Sequence, residues 1–201
     1  VVLIGGGDPY LASKPAAKDE PAYPARADLR TLARLTAAAL ADQGIRRAAL
    51  GYDDTLFTGP EVNPHWEPSY VPDNVVSPIS ALWVDEGRDR AGYGYRSPDP
   101  AAVAAQDFAQ ALRKRGIKVT GRLRAAPAPA DAQDIASVVK STRTGTTMSS
   151  ANALVQNLAA LTGKYPRPHP VRTTAAASRN DVAKGATRTP KITKTNTPRT
   201  L

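Results

Sequence analysis

The chain has no cysteine. That excludes disulfides, thiolate metal sites and a cysteine nucleophile, but leaves the compartment open. The only two histidines, His65 and His169, cannot build a His-rich metal cluster by themselves, so neither metal nor cofactor is expected. Aromatic residues make up 5% of the chain, which makes for a lean core. No apolar run approaches the roughly 18 residues of a membrane span. The opening Val1-Val-Leu-Ile-Gly-Gly-Gly lacks both an initiator Met and the basic start of a signal peptide. It reads as the end of a strand, and the expectation is that the chain starts inside a larger protein. Acidic residues are scarce at one end: residues 164–201 hold nine Lys/Arg against one acid, Asp181, whereas 1–163 hold eighteen against seventeen. The net charge of +9 therefore describes a tail, read as disordered.

What is present is a chain of 201 residues, 41% hydrophobic, with 18 prolines and 14 glycines. Val1 to Ile4 is an apolar run stopped by Gly5-Gly6-Gly7-Asp8-Pro9, a strand and turn. A phosphate cradle would need a Lys-Ser/Thr and a helix directly afterwards, and neither follows. Asp28 caps a helix over 29–43, with Leu29, Leu32, Ala33 and Leu40 inward and Gly44 as stop. Ile45 to Tyr52 is a strand ending in Asp53-Asp54. These two acids are either paired catalytic carboxylates or a metal site or, better for a strand end with no third acid or His close by, turn and cap residues. Residues 58–79 hold five prolines and read as a shaped loop that Trp66 and Tyr70 pin to the core. Ile79 to Val84 is expected as a strand. Asp99-Pro100 opens a second helix to Arg115, with Ala104, Phe108, Ala111 and Leu112 inward. Gly116 ends it, and Ile117 to Leu123 is again a strand. The unit helix, Gly, Ile, basic residue, strand thus occurs twice, which suits an α/β or α+β layer. Ala125 to Ala132 reads as a Pro/Ala linker, and 149–162 as a helix.

Three stretches in fixed order carry a resemblance: Ile4-Gly-Gly-Gly-Asp-Pro-Tyr-Leu, Ala48-Ala-Leu-Gly-Tyr-Asp-Asp-Thr-Leu-Phe, and Trp66-Glu-Pro-Ser-Tyr through Val76-Ser-Pro-Ile-Ser-Ala-Leu. Together they resemble the class C low-molecular-mass penicillin-binding proteins, the D-alanyl-D-alanine carboxypeptidase/endopeptidase family. The resemblance implies an α+β chain holding the inserted α/β-type domain of a β-lactamase/transpeptidase-like serine DD-peptidase over residues 1–124. A linker follows over 125–133, then the start of the returning transpeptidase-like domain over 134–163, and the basic disordered tail over 164–201. In that family the insertion lies after the catalytic Ser-x-x-Lys and before the Ser-x-Asn, so the nucleophile is expected upstream of Val1.

The chemistry of such enzymes needs a Ser with a Lys one helical turn away, then a Ser and an Asn that move the proton and hold the substrate. Ser137-Val-Val-Lys140 has the first spacing but follows the inserted region, so Ser137 and Lys140 are disfavoured as the nucleophile pair. Ser150-Ala-Asn152 is preferred as the Ser-x-Asn, with Ser178-Arg-Asn180 as the alternative. A plain helix N-cap at Ser149 or Ser150 competes with that role. Lys194-Thr-Asn-Thr197 resembles Lys-Thr-Gly-Thr with the Gly replaced and is read as coincidence. From residue 141 the pattern degrades, as a rearranged or frame-shifted C-terminal part would make it. The resemblance implies a serine-type D-Ala-D-Ala carboxypeptidase or endopeptidase acting outside the cytoplasm on the peptidoglycan stem peptide through an acyl-serine. It would be open to β-lactams and need no metal, and this chain alone is expected to be inactive. The competing reading is a non-enzymatic binding module whose 164–201 tail holds nucleic acid or an anionic cell-surface polymer.

Overall fold

A computed structural model describes residues 1–19, 25–90, 92–138 and 171–175. The two expected helices form where their caps predict. In α1 (Leu29–Asp42) the Asp28 carboxylate accepts from the Thr31 backbone N–H at 2.8 Å and from its hydroxyl at 2.7 Å, tying down an otherwise orphan donor. In α2 (Pro100–Lys114) Asp99 accepts from the Ala102 N–H at 2.9 Å, with Pro100 in the first turn. Both helices end alike. Gly44 and Gly116 take positive φ (+72° and +83°), and the next residue's N–H reaches back, Ile45 to Leu40 O and Ile117 to Leu112 O. These are helix stops of the kind that glycine permits. The doubled Gly-Ile unit seen in the sequence is this doubled stop.

Each helix carries the chain from one parallel strand to the next. β1 (Val2–Ile4) pairs in parallel with β2 (Arg47–Asp53), and β2 with β5 (Lys118–Ala125). Both crossovers step one strand in the same direction, so by the fixed hand of such units both helices lie on one face. The core sits between helices and sheet: Leu3, Leu50 and Tyr52 from the strands meet Leu32, Leu40, Phe108 and Leu112. The sheet order is β5-β2-β1-β7-β6, where β6 spans Gln133–Val138 and β7 spans Val171–Ala175. β7 runs antiparallel to both of its neighbours. The whole is a mixed α+β architecture.

Several expectations need correction. Val171–Ala175, placed in the disordered tail, is a strand beside β1, fixed by backbone pairing on both sides and by a buried 2.9 Å contact between the Thr36 and Thr173 hydroxyls. The stretch expected as an interdomain linker joins two edges of one sheet, because β5 and β6 share it. Ile79–Val84 is buried but is not a strand. Its backbone groups find scattered partners, Ile79 N to Glu61 O, Gly7 N to Ala81 O, and Leu82 N to the Ser80 hydroxyl, so no ladder forms. Trp66 is half-buried and Tyr70 is 36% exposed; the tryptophan in the core is Trp83, 1% exposed. A short hairpin of β3 (Arg88–Arg90) and β4 (Tyr93–Arg96) was not foreseen. The helix expected over 149–162 lies outside the described residues.

Candidate functional site

Open α/β sheets bind ligands at the carboxyl ends of their parallel strands, where strand direction or connection switches. In this sheet that place is the end of β1 and β2, beside antiparallel β7. Gly5, Gly6 and Gly7 leave β1 there, and all three are buried. A Cβ on Gly5 would stand 2.5 Å from Ala81 O, and one on Gly7 would stand 2.6 Å from the Phe57 ring. The glycines therefore let the 79–84 segment and Phe57 approach the backbone. No helix opens at this turn, since α1 begins only at Leu29.

Asp53 ends β2. One carboxylate oxygen accepts from the Thr55 N–H at 2.9 Å and from its hydroxyl at 2.7 Å, and the other accepts from the Ala128 N–H at 2.7 Å. Burial alone would raise this carboxyl, but the bonds from Thr55 and Ala128, helped by Arg172, outweigh it and hold the group below its usual range. Asp53 is thus an ionised anchor for the 126–132 segment. Because Leu3, Tyr52 and Thr173 face the helices, their strand neighbours Ile4, Asp53, Arg172 and Thr174 face the other way. The 126–132 segment crosses that second face as a strap. Between strap and sheet lies a cavity of about 630 Å³ lined by Ile4, Asp53, Ala128, Asp134, Arg172 and Thr174 among others. Arg172 reaches Asp134 at 3.1 Å on its rim.

Asp54, next along, has its carboxyl raised, first by burial and then by the charges of Asp99 and Asp53. Tyr52 is raised for the same kinds of reason, burial first, then Asp99 and Asp54. The sheet end is therefore acidic, but Asp53 is engaged as a turn and strap residue, both of its oxygens accepting hydrogen bonds from Thr55 and Ala128. No group of three His, Cys, Asp or Glu among the described residues is placed to hold a metal. No helix among them is long and apolar enough to cross a membrane.

Of the catalytic candidates, only Ser137 falls within the described residues. It lies on β6, paired with Arg172. Lys140, Ser150, Asn152, Ser178 and Asn180 lie outside the described residues, as do Ser149 and Lys194 to Thr197. Sequence reasoning missed Arg172 and Asp134, which sit in the regions taken for tail and returning domain. The Val-Arg-Thr-Thr-Ala run around Arg172, β-prone and short, was the available signal.

Residues 1–92 match the family model of the D-Ala-D-Ala carboxypeptidase 3 (S13) family. The chain is 32% identical over 140 residues to Carboxypeptidase Rv3627c of Mycobacterium tuberculosis, covering 69% of this chain and 28% of that protein. It is 32% identical over 122 residues to Carboxypeptidase DacB of Mycolicibacterium smegmatis, covering 60% of this chain and 25% of that protein. The chain thus spans 28% and 25% of the lengths of these two curated relatives. No solved structure matches. The stretch from Val1 through residue 92 thus resembles the D-Ala-D-Ala carboxypeptidase 3 (S13) family, and the chain as a whole is similar to two mycobacterial carboxypeptidases.

Proposed function

We propose that this chain is the inserted, non-catalytic part of a serine-type D-Ala-D-Ala carboxypeptidase or endopeptidase. The whole enzyme would act outside the cytoplasm on the peptidoglycan stem peptide, through an acyl-serine carried upstream of Val1, and would be acylated by β-lactams. The observation that carries this reading is the family match over residues 1–92. In the fold, this stretch supplies the central parallel pair β1 and β2 and the buried 79–84 segment.

The role of scaffold is supported by what three of the described serines do. The Ser77 hydroxyl donates to Glu86 O, the Ser80 hydroxyl to Leu82 O, and Ser97 accepts from the Asp99 N–H. Each holds backbone. Ser137 stands on a strand, whereas the nucleophile motif needs its Ser and Lys one helical turn apart. The experiment is covalent labelling with a fluorescent β-lactam. The 201-residue chain should remain unlabelled, and a longer polypeptide carrying an upstream Ser-x-x-Lys should label there and release D-Ala from a soluble pentapeptide. Labelling at Ser137, Ser150 or Ser178 would overturn the reading.

The charge of the C-terminal end favours a second reading, a binding module with a basic arm for nucleic acid or an anionic cell-surface polymer. Since Val171–Ala175 is a strand, the truncation that tests it starts at residue 176. Polyanion binding that falls steeply with salt and is lost with 176–201 would support it.

A further inference from the structure

We propose that the outward face of the β3–β4 hairpin, Tyr93 and Tyr95 with Arg90 beside them, is a ledge that binds the glycan strand of peptidoglycan; this rests on the cell-wall reading above. Along β4 the side chains alternate. The Arg96 side chain turns inward, 4% exposed, and Tyr93 and Tyr95 turn to solvent, 64% and 79% exposed. An antiparallel pair with one covered face is expected to be polar on the other. Here that face carries the two most exposed large hydrophobic side chains among the described residues.

The base of the hairpin is held firmly. Gly94 O accepts from Arg88 at 2.8 Å and from the Asn74 amide at 3.2 Å, and Asn74 Oδ1 accepts from the Arg96 N–H. The Arg96 guanidinium donates to Glu86 O at 2.6 Å and faces the Glu86 carboxylate at 3.7 Å. Asn74, Asp85 and Glu86 are the non-glycine residues with positive φ among those described (63°, 50° and 61°). Asn74 and Glu86 bond this hairpin directly, and Asp85 opens the turn that leads into it. Strained backbone persists only where its surroundings over-determine it, and it gathers at functional sites. The strain here positions two rings that face solvent.

The chemistry of the ledge fits a sugar polymer. A pyranose ring offers a C–H face to an aromatic ring and hydroxyls to a phenol, and tyrosine combines an apolar body with a polar tip. Arg90 lies 5.8 Å from the Tyr93 ring centre, where its guanidinium can donate to sugar hydroxyls and amide carbonyls. A nucleic acid has a phosphate on every nucleotide and calls for a row of cations, but Arg88 and Arg96 are turned onto the hairpin's own carbonyls. A stable protein partner buries roughly 800 Å² per side, well above the roughly 300–500 Å² that two tyrosines bring.

The test is co-sedimentation of the 201-residue chain with purified peptidoglycan and with glycan strands stripped of their stem peptides by an amidase. Both should bind. Tyr93→Ala with Tyr95→Ala should weaken binding roughly tenfold or more, whereas the double Phe variant should retain most of it. The unfolding curve should not move, because the rings are exposed. Unchanged binding by the double Ala variant, dependence of binding on the stem peptides, or binding to single-stranded oligonucleotide that the double Ala variant loses would each overturn the proposal. Release of D-Ala from a soluble pentapeptide by the longer polypeptide separates the two readings. The ledge variants should leave it intact, and its absence would refute the peptidase reading while the sedimentation result still stood.

Discussion

The buried hydroxyl pair between Thr36 on α1 and Thr173 on β7 gives the most discriminating test of the fold. Both residues are 0% exposed, and their Oγ1 atoms are 2.9 Å apart across 137 residues of sequence. Thr173→Val keeps the shape but strands the Thr36 hydroxyl without a partner. A buried polar group left unpaired costs about 1–3 kcal/mol, whereas replacing both partners with apolar groups of the same shape is nearly neutral. Thr36→Val should cost a similar amount from the other side. The double variant should fall within about 1 kcal/mol of the parent, leaving a coupling of about 3 kcal/mol between the sites. Urea unfolding of all four proteins measures it, and each single change should lower Tm by several degrees, at about 2–4 °C per kcal/mol for a chain of this size. Additive single effects, with coupling under about 0.5 kcal/mol, would mean that the hydroxyls do not meet and that Val171–Ala175 is not beside β1.

Other changes probe the sheet end and the caps. Gly5→Ala would place a Cβ 2.5 Å from the Ala81 carbonyl oxygen and 2.7 Å from Leu82 Cβ; backbone cannot step aside cheaply, so a loss of about 2–3 kcal/mol is expected by urea unfolding. At Gly44 the space is open and only the +72° φ resists, so Gly44→Ala should cost about 1 kcal/mol. Asp53 has a folded pKa below its unfolded value. Its stabilisation is therefore full above about pH 4 and is lost as pH falls through the folded pKa, and Asp53→Asn should remove that part of the acid limb in a pH series of unfolding curves. Asp54 has the opposite sign, being raised. Its penalty is present at neutral pH and absent below about pH 4, so Asp54→Asn should stabilise by a fraction of a kcal/mol at pH 7 and not at pH 3.

Local signals made part of the fold legible and contact between distant segments made the rest. Asp28, Gly44, Asp99-Pro100 and Gly116 mark the helices because capping and helix stopping are decided within a few residues. Only a short β-prone run marks β7 locally, and its place comes from pairing with β1 and β6 on either side. Asp53 reads as a turn residue from its neighbours, and it is one, but its bond to Ala128 spans 75 residues and turns an apparent linker into a strap. Ile79–Val84 misleads in the other direction: its apolar run reports burial truly, while Ser80 bonds its own Leu82 and denies the segment a ladder.

The hairpin inverts the usual pattern. Its inward side chain is Arg96, 4% exposed, and its outward positions are tyrosines. No rule of alternation finds such an element, because hydrophobic patterning assumes that folding alone sets the sequence. A segment that breaks the local rule and is nevertheless braced by Asn74, Glu86 and Arg88 has been shaped by a requirement other than folding. In this molecule the part least legible as structure, Tyr93-Gly-Tyr95, is for that reason the part most informative about what the chain touches.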